Sequence, residues 1–136
     1  MATTNVTQRN VEIARKAYRA FNEIDMDNVM KAVAKDCVWH VIGDGPLKGD
    51  YKGIDAVLGF FMRFGQLTEG TYKADVHDIL ATDAHTVLMG TTTATRKGKT
   101  LTNKFVDVIH PNEAGQAKEF WRFVDDQAAL DEWSRD

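Results

Sequence analysis

Residues 101–110 read Leu-Thr-Asn-Lys-Phe-Val-Asp-Val-Ile-His, and the alternation in this run decides the fold. Leu101, Asn103, Phe105, Asp107 and Ile109 fall on one side of an extended chain, and Thr102, Lys104, Val106, Val108 and His110 on the other. The odd face carries the larger apolar groups. The even face carries two valines between Lys104 and His110, so alternation alone leaves both faces open as the buried one. Three further runs also read as strands: Thr71 to Ala81, Thr86 to Arg96 and Gln116 to Val124. The connections Thr82 to His85, Arg96 to Lys99 around Gly98, and Pro111 to Gly115 are short enough for hairpins. Four strands in a meander follow.

Upstream the period changes to three and four. Val11, Ala14, Tyr18 and Phe21 define a first helix from Thr7. Asp25 suits the N-cap of a second, in which Met26, Val29, Met30, Val33 and Ala34 recur at helical spacing. Cys37 to Ile42 reads as a short strand, Gly43 to Gly53 as a loop, and Ile54, Val57, Leu58 and Phe61 as a third helix leaving at Gly65 or Gly70. Gln127 to Trp133 makes a last helical turn. Helices followed by a curled antiparallel sheet describe an α+β fold, with the helices covering one sheet face.

Composition narrows the function classes. The 136 residues, 43% apolar and 27% charged with two prolines, make one domain spanning 1–136. Seventeen basic and twenty acidic residues are interspersed, so no stripe exists to neutralise nucleic-acid phosphates. The single cysteine, Cys37, allows no internal disulfide. No apolar run approaches the roughly 18–20 residues that span a bilayer, which argues against a membrane protein. The polar segment Met1 to Asn10 is unlike a signal peptide, so a cytoplasmic address is expected. Phosphate loops, dinucleotide fingerprints and nucleophile elbows are absent, and His40, His77, His85 and His110 stand singly, which predicts no metal site.

Candidate chemistry therefore rests on individual side chains. If the odd face of the 101–110 strand is buried, Asp107 is a carboxylate among large apolar groups, and such a group must be paired or protonated. On the last strand Lys118, Phe120, Arg122 and Val124 share one face, and Ala117, Glu119, Trp121 and Phe123 the other. An inward Arg122 would pair with Asp107, whereas an outward one would be a surface arginine. Both faces are apolar, as expected of a sheet covered by helices on one side and a second subunit on the other. Alternation puts Trp39 with Val41 and His40 with Val38 and Ile42, so one set faces the interior. His40 is then either a satisfied core residue or a catalytic group.

The order of elements, with GPLKGDYKG at 45–53, Phe60-Phe61, EFWRFVDD at 119–126 and Asp131-Glu132-Trp133, resembles the SnoaL-like branch of the nuclear transport factor 2-like superfamily from Val6 to Trp133. The resemblance implies a cystatin-like cone, N-terminal helices on a curved sheet around a deep apolar cavity, usually dimeric through the sheet. It implies relatives among ketosteroid isomerases, polyketide cyclases, epoxide hydrolases and non-catalytic binding proteins. Registered on the isomerase pattern, Asp107 falls at the oxyanion-hole acid, Ala17 at the oxyanion tyrosine and Val41 at the general base. On the epoxide hydrolase and cyclase pattern Arg122 stands where an acid is expected. The resulting expectation is an acid–base enzyme of isomerase, cyclase or dehydratase type. It would act without cofactor or metal on a small apolar carbonyl compound, through Asp107, Arg122 and His40. Trp39, Val41, Tyr18, Phe61, Asn103, Phe105, Phe120 and Val124 would form the pocket. The alternatives are a binding module that kept the cone without the chemistry, and a purely structural Asp107–Arg122 pair.

Overall fold

Helix α1 (Ala2–Asn22) turns Ala14 and Ala20 into the core and packs Tyr18 and Phe21 against it, as its three-four spacing requires. The computed structural model describes residues 2–135. Asn22 ties the end of this helix to the backbone of Ala74, donating to its carbonyl at 2.8 Å and accepting from its N–H at 2.9 Å. Asp25 accepts from the Asn28 N–H and caps α2 (Met26–Met30). This helix is shorter than its sequence spacing predicts. Val33 and Ala34 open strand β1 (Val33–Val41) instead, where they are 4% and 1% exposed. Burial against the sheet outweighs their local helical periodicity, a weak determinant beside tertiary packing.

The glycine-rich stretch also differs from expectation, because 43–53 contains a strand, β2 (Gly49–Lys52), paired antiparallel to β1 with Val38 opposite Lys52. Helix α3 (Ile54–Leu67) follows and buries Val57, Phe60 and Phe61. The chain then runs through β3 (Lys73–Ala81), β4 (Thr86–Arg96), β5 (Lys99–Pro111), β6 (Ala117–Val124) and a terminal helix α4 (Gln127–Ser134). The six strands form one curved sheet in the order β2-β1-β6-β5-β4-β3. The meander is antiparallel, as the short connections predict, but β1 joins it by a parallel pairing with β6, so the sheet is mixed. Helix α1 lies on β3 and β4, and α3 on β1 and β2. The architecture is the α+β cone expected, with helices on the inner face of a curved sheet.

The odd face of β5 is the inner one: Asn103, Phe105, Asp107 and Ile109 are buried, while Thr102 and Lys104 are exposed. In β6 the simple alternation breaks. His110 pairs with Glu119 and Pro111 with Ala117, which leaves Lys118 as an extra residue and returns Ala117 to the core. A second irregularity, at His77, brings β3 so close to β4 that a Cβ on Gly90 would lie 2.1 Å from the Asp75 carbonyl oxygen. Only glycine fits there.

Candidate active site

Register assembles the polar centre of the cone. Leu88, Asp107 and Arg122 lie side by side on β4, β5 and β6, on the inner face. Asp107 is completely buried and receives a bidentate contact from Arg122, Nε to Oδ1 at 2.7 Å and Nη2 to Oδ2 at 2.8 Å. The Tyr18 hydroxyl, 89 residues away in sequence, donates a hydrogen bond to the same Oδ2. On its other side Arg122 donates from Nη1 to the Tyr72 hydroxyl at 2.6 Å. Its guanidinium carbon lies 4.5 Å from the centroid of the Phe105 ring. The result is a continuous chain Tyr18–Asp107–Arg122–Tyr72 across the interior.

Electrostatics hold the protons on Tyr18, Tyr72 and Arg122. Burial pushes the Tyr18 phenol well above its ordinary range, and the Asp107 charge pushes it further, so Tyr18 is a neutral donor. Burial also raises Tyr72, with Arg122 opposing. For Arg122 burial opposes the charge, but the adjacent Asp107 carboxylate outweighs it and the guanidinium holds its proton well beyond the usual range. A guanidinium has five N–H groups, and three are engaged here. Two N–H groups of Arg122 and the hydroxyl proton of Tyr72 therefore have no acceptor among the described residues.

Tyr18, Tyr72 and Arg122 all line one cavity of about 220 Å³. Trp39, Val41, Phe61, Phe120 and Val124 supply apolar wall, with Trp39 stacked on Phe120 at 4.0 Å between centroids. Asn103 also reaches the wall. Two expected site residues lie behind the wall, and a third, His40, is on the lining but has its imidazole engaged away from the Asp107 chain. Asp107 does not touch the cavity: it is completely buried, with Tyr18 and Arg122 bonded to its carboxylate oxygens. Phe105 is likewise behind the wall, beneath Arg122. His40 projects from the outer face of the sheet: it stacks on Trp121 at 4.6 Å and bonds Asp50 at 2.7 Å and Glu119 at 3.0 Å. Its neighbour Trp39 takes the inward position beside Phe120, and alternation leaves His40 no route to Asp107.

One candidate position, Tyr72, escaped the sequence reading, and another, Tyr18, was expected only as pocket wall. The hydroxyl that reaches Asp107 belongs to Tyr18, one residue beyond Ala17, where the isomerase register placed the tyrosine position. A one-residue step along a helix turns a side chain by about 100 degrees, so the register alone misassigned the group. Tyr72, just before β3, shares the alternation of Ala74 and Val76, the only signal that could have marked it. No group of three or more His, Cys, Asp or Glu side chains among the described residues is arranged to hold a metal. No helix among them is long and apolar enough to cross a membrane.

Comparison with known proteins agrees with this architecture. The structure of Bal32a, from a soil-derived mobile gene cassette, superposes with a TM-score of 0.90 at 30% identity, covering 96% of this chain and 99% of that one. A nuclear transport factor 2-like protein of unknown function from Burkholderia pseudomallei superposes at 0.82 with 25% identity, over 94% and 98% of the two chains. TerC, co-crystallised with polyporic acid, shares the fold at a TM-score of 0.81 and 19% identity, over 93% and 98%. No curated protein matches the sequence. The profile of the SnoaL-like domain matches residues 14–127, from the second half of α1 to the start of α4, and the chain belongs to that family.

Proposed function

We propose that the protein is a cofactor-independent acid–base catalyst for an apolar carbonyl compound, with the substrate oxygen held by Tyr72 and Arg122. The observation that carries this reading is the unbroken hydrogen-bonded chain from Tyr18 to Tyr72, three of whose members line a largely apolar cavity. Donors in a water-poor site are worth most where negative charge develops, as on an enolate oxygen. Asp107 is the ultimate base and acts through Tyr18. As a proton leaves the carbon beside the carbonyl for the Tyr18 oxygen, the Tyr18 proton crosses to Asp107. The C–H electron pair forms the enolate, whose oxygen is held by Tyr72 and Arg122. Negative charge thus moves from Asp107 to the enolate while Arg122 remains its counter-ion. Returning the proton to another carbon is isomerisation, and attack of the enolate on a second carbonyl is cyclisation. TerC, crystallised with polyporic acid, supports an organic oxygen-bearing ligand for this fold.

The experiment is deuterium exchange at carbon 2 of 1-tetralone in D2O, followed by proton NMR. A positioned base contributes about 10²–10⁴-fold, so exchange should exceed the buffer rate by that range and vanish in Tyr18→Phe. Tyr72→Phe should slow exchange by about 10²-fold, the loss typical of one oxyanion donor. The sealed position of Asp107 favours a second reading, a binding module in which the same chain only orients a ligand oxygen. Binding of 1-tetralone with exchange at the buffer rate decides for that module.

A further inference from the structure

Asn103 is the one polar group of the inner β5 face that the Tyr18–Tyr72 chain does not use. It is 4% exposed, between Leu101 and Phe105 on that face, and it lines the cavity. Neither its Oδ1 nor its Nδ2 has a hydrogen-bond partner among the described residues. The only sealed and unpartnered side-chain atom among those residues is Asn10 Nδ2, so the Asn103 amide meets open cavity rather than packed protein. A buried amide without a partner destabilises a fold, and its flanking positions are held by apolar side chains. The group is accounted for if it is satisfied from the cavity side.

We infer that Asn103 is a recognition site for a second polar group of the ligand, a hydroxyl at the far side of a ring from the carbonyl held by Tyr72 and Arg122. The inference rests on the docking of that carbonyl proposed above. Spacing selects the class. Arg122 sits over Phe105, and Asn103 is two residues along the strand, about 7 Å at the usual rise. That is roughly the span of one six-membered ring with a substituent at either end. Chemistry selects the group: an amide offers one acceptor and a donor pair, and a hydroxyl answers both, whereas a carbonyl answers only the donors. Thr92, opposite Asn103 on β4 and also on the cavity wall, donates its hydroxyl proton to the Asn103 backbone carbonyl at 3.5 Å and leaves its oxygen as a further acceptor at the same level. The ligand class is a hydroxylated cyclic aryl ketone.

Calorimetric titration of 1-tetralone and 6-hydroxy-1-tetralone into the wild-type protein, Asn103→Leu and Tyr72→Phe tests this. The added hydroxyl should tighten binding to the wild type about tenfold, the effect of one good hydrogen bond. In Asn103→Leu the ratio of the two affinities should fall to about onefold, with an unchanged melting curve certifying the fold of the variant. An equal affinity of the two ketones for the wild type, or an advantage that survives in Asn103→Leu, overturns the Asn103 site. If the Asn103 effect holds but Tyr72→Phe binds both ketones as tightly as wild type, the Asn103 site stands and the docking of the carbonyl on Tyr72 falls. Failure of both ketones to bind overturns the two together.

Discussion

Replacing Asp107 by leucine tests the buried chain on which the site depends. The substitution keeps a similar volume on the inner face of β5 but strands two groups: the Arg122 guanidinium loses both its contacts to the carboxylate, and the Tyr18 hydroxyl loses its acceptor. Removing one partner of a buried ion pair costs about 3–5 kcal/mol, because the remaining charge is uncompensated. An orphaned buried hydroxyl adds about 1–3 kcal/mol. Against a total stability of about 5–15 kcal/mol, a loss of about 4–8 kcal/mol brings the variant to the edge of folding. Arg122 is 23% exposed at its side chain, so some solvent reaches the stranded charge and the lower end of that range is expected. The double variant Asp107→Leu/Arg122→Met removes both charges and should recover at least about 2 kcal/mol relative to the sum of the single variants, since the pair is coupled. Urea unfolding followed by tryptophan fluorescence reads this directly, because Trp39 stacks on Phe120 in the core. Additive single-variant costs, or a loss under about 1 kcal/mol in Asp107→Leu, would refute the reasoning.

Three further outcomes follow from other parts of the molecule. Burial lowers the His40 pKa, but its hydrogen bonds to Glu119 and Asp50 outweigh this and hold it above the usual imidazole value, while the bond from His40 holds Glu119 below the usual carboxylate value. The His40 contribution is complete below about pH 6.5 and is lost as pH rises through its raised folded value; the Glu119 contribution is complete above about pH 4.5 and is lost as pH falls through its lowered one. Melting temperature against pH should therefore fall on both sides of that window, and His40→Asn should flatten the alkaline side; an unchanged profile counts against the assignment. Gly90→Ala forces a Cβ to within 2.1 Å of the Asp75 carbonyl oxygen and should cost about 1–3 kcal/mol in urea unfolding, with a neutral result showing that β3 shifts freely. The outer sheet face leaves Phe123 47% exposed beside half-buried Trp121, which we propose is covered by a second copy of the chain. Light scattering should then give twice 15.3 kDa, and a monomeric mass at micromolar concentration would refute it.

The helices, the four-strand meander and the grouping of Leu101, Asn103, Phe105, Asp107 and Ile109 were legible in the sequence, because they depend on periods of 3.6 and 2 that the chain carries locally. Alternation says which side chains share a face; it does not say which face meets the helices. The inward choice for Asp107 and Arg122, and the outward one for His40, came from sheet register. The start of β1 at Val33, its parallel seat on β6 and the Lys118 bulge came likewise from long-range pairing that no window of residues contains. Tyr18 and Tyr72 join Asp107 and Arg122 across 89 and 50 residues of chain, and only packing α1 and β3 around the cone brings their hydroxyls together. The sequence by itself determined α1, α3 and the meander strands with the faces of β5, since those follow from local backbone geometry. The tertiary structure alone decided the site, since a buried charge finds its partners through contacts that exist only once the cone has closed.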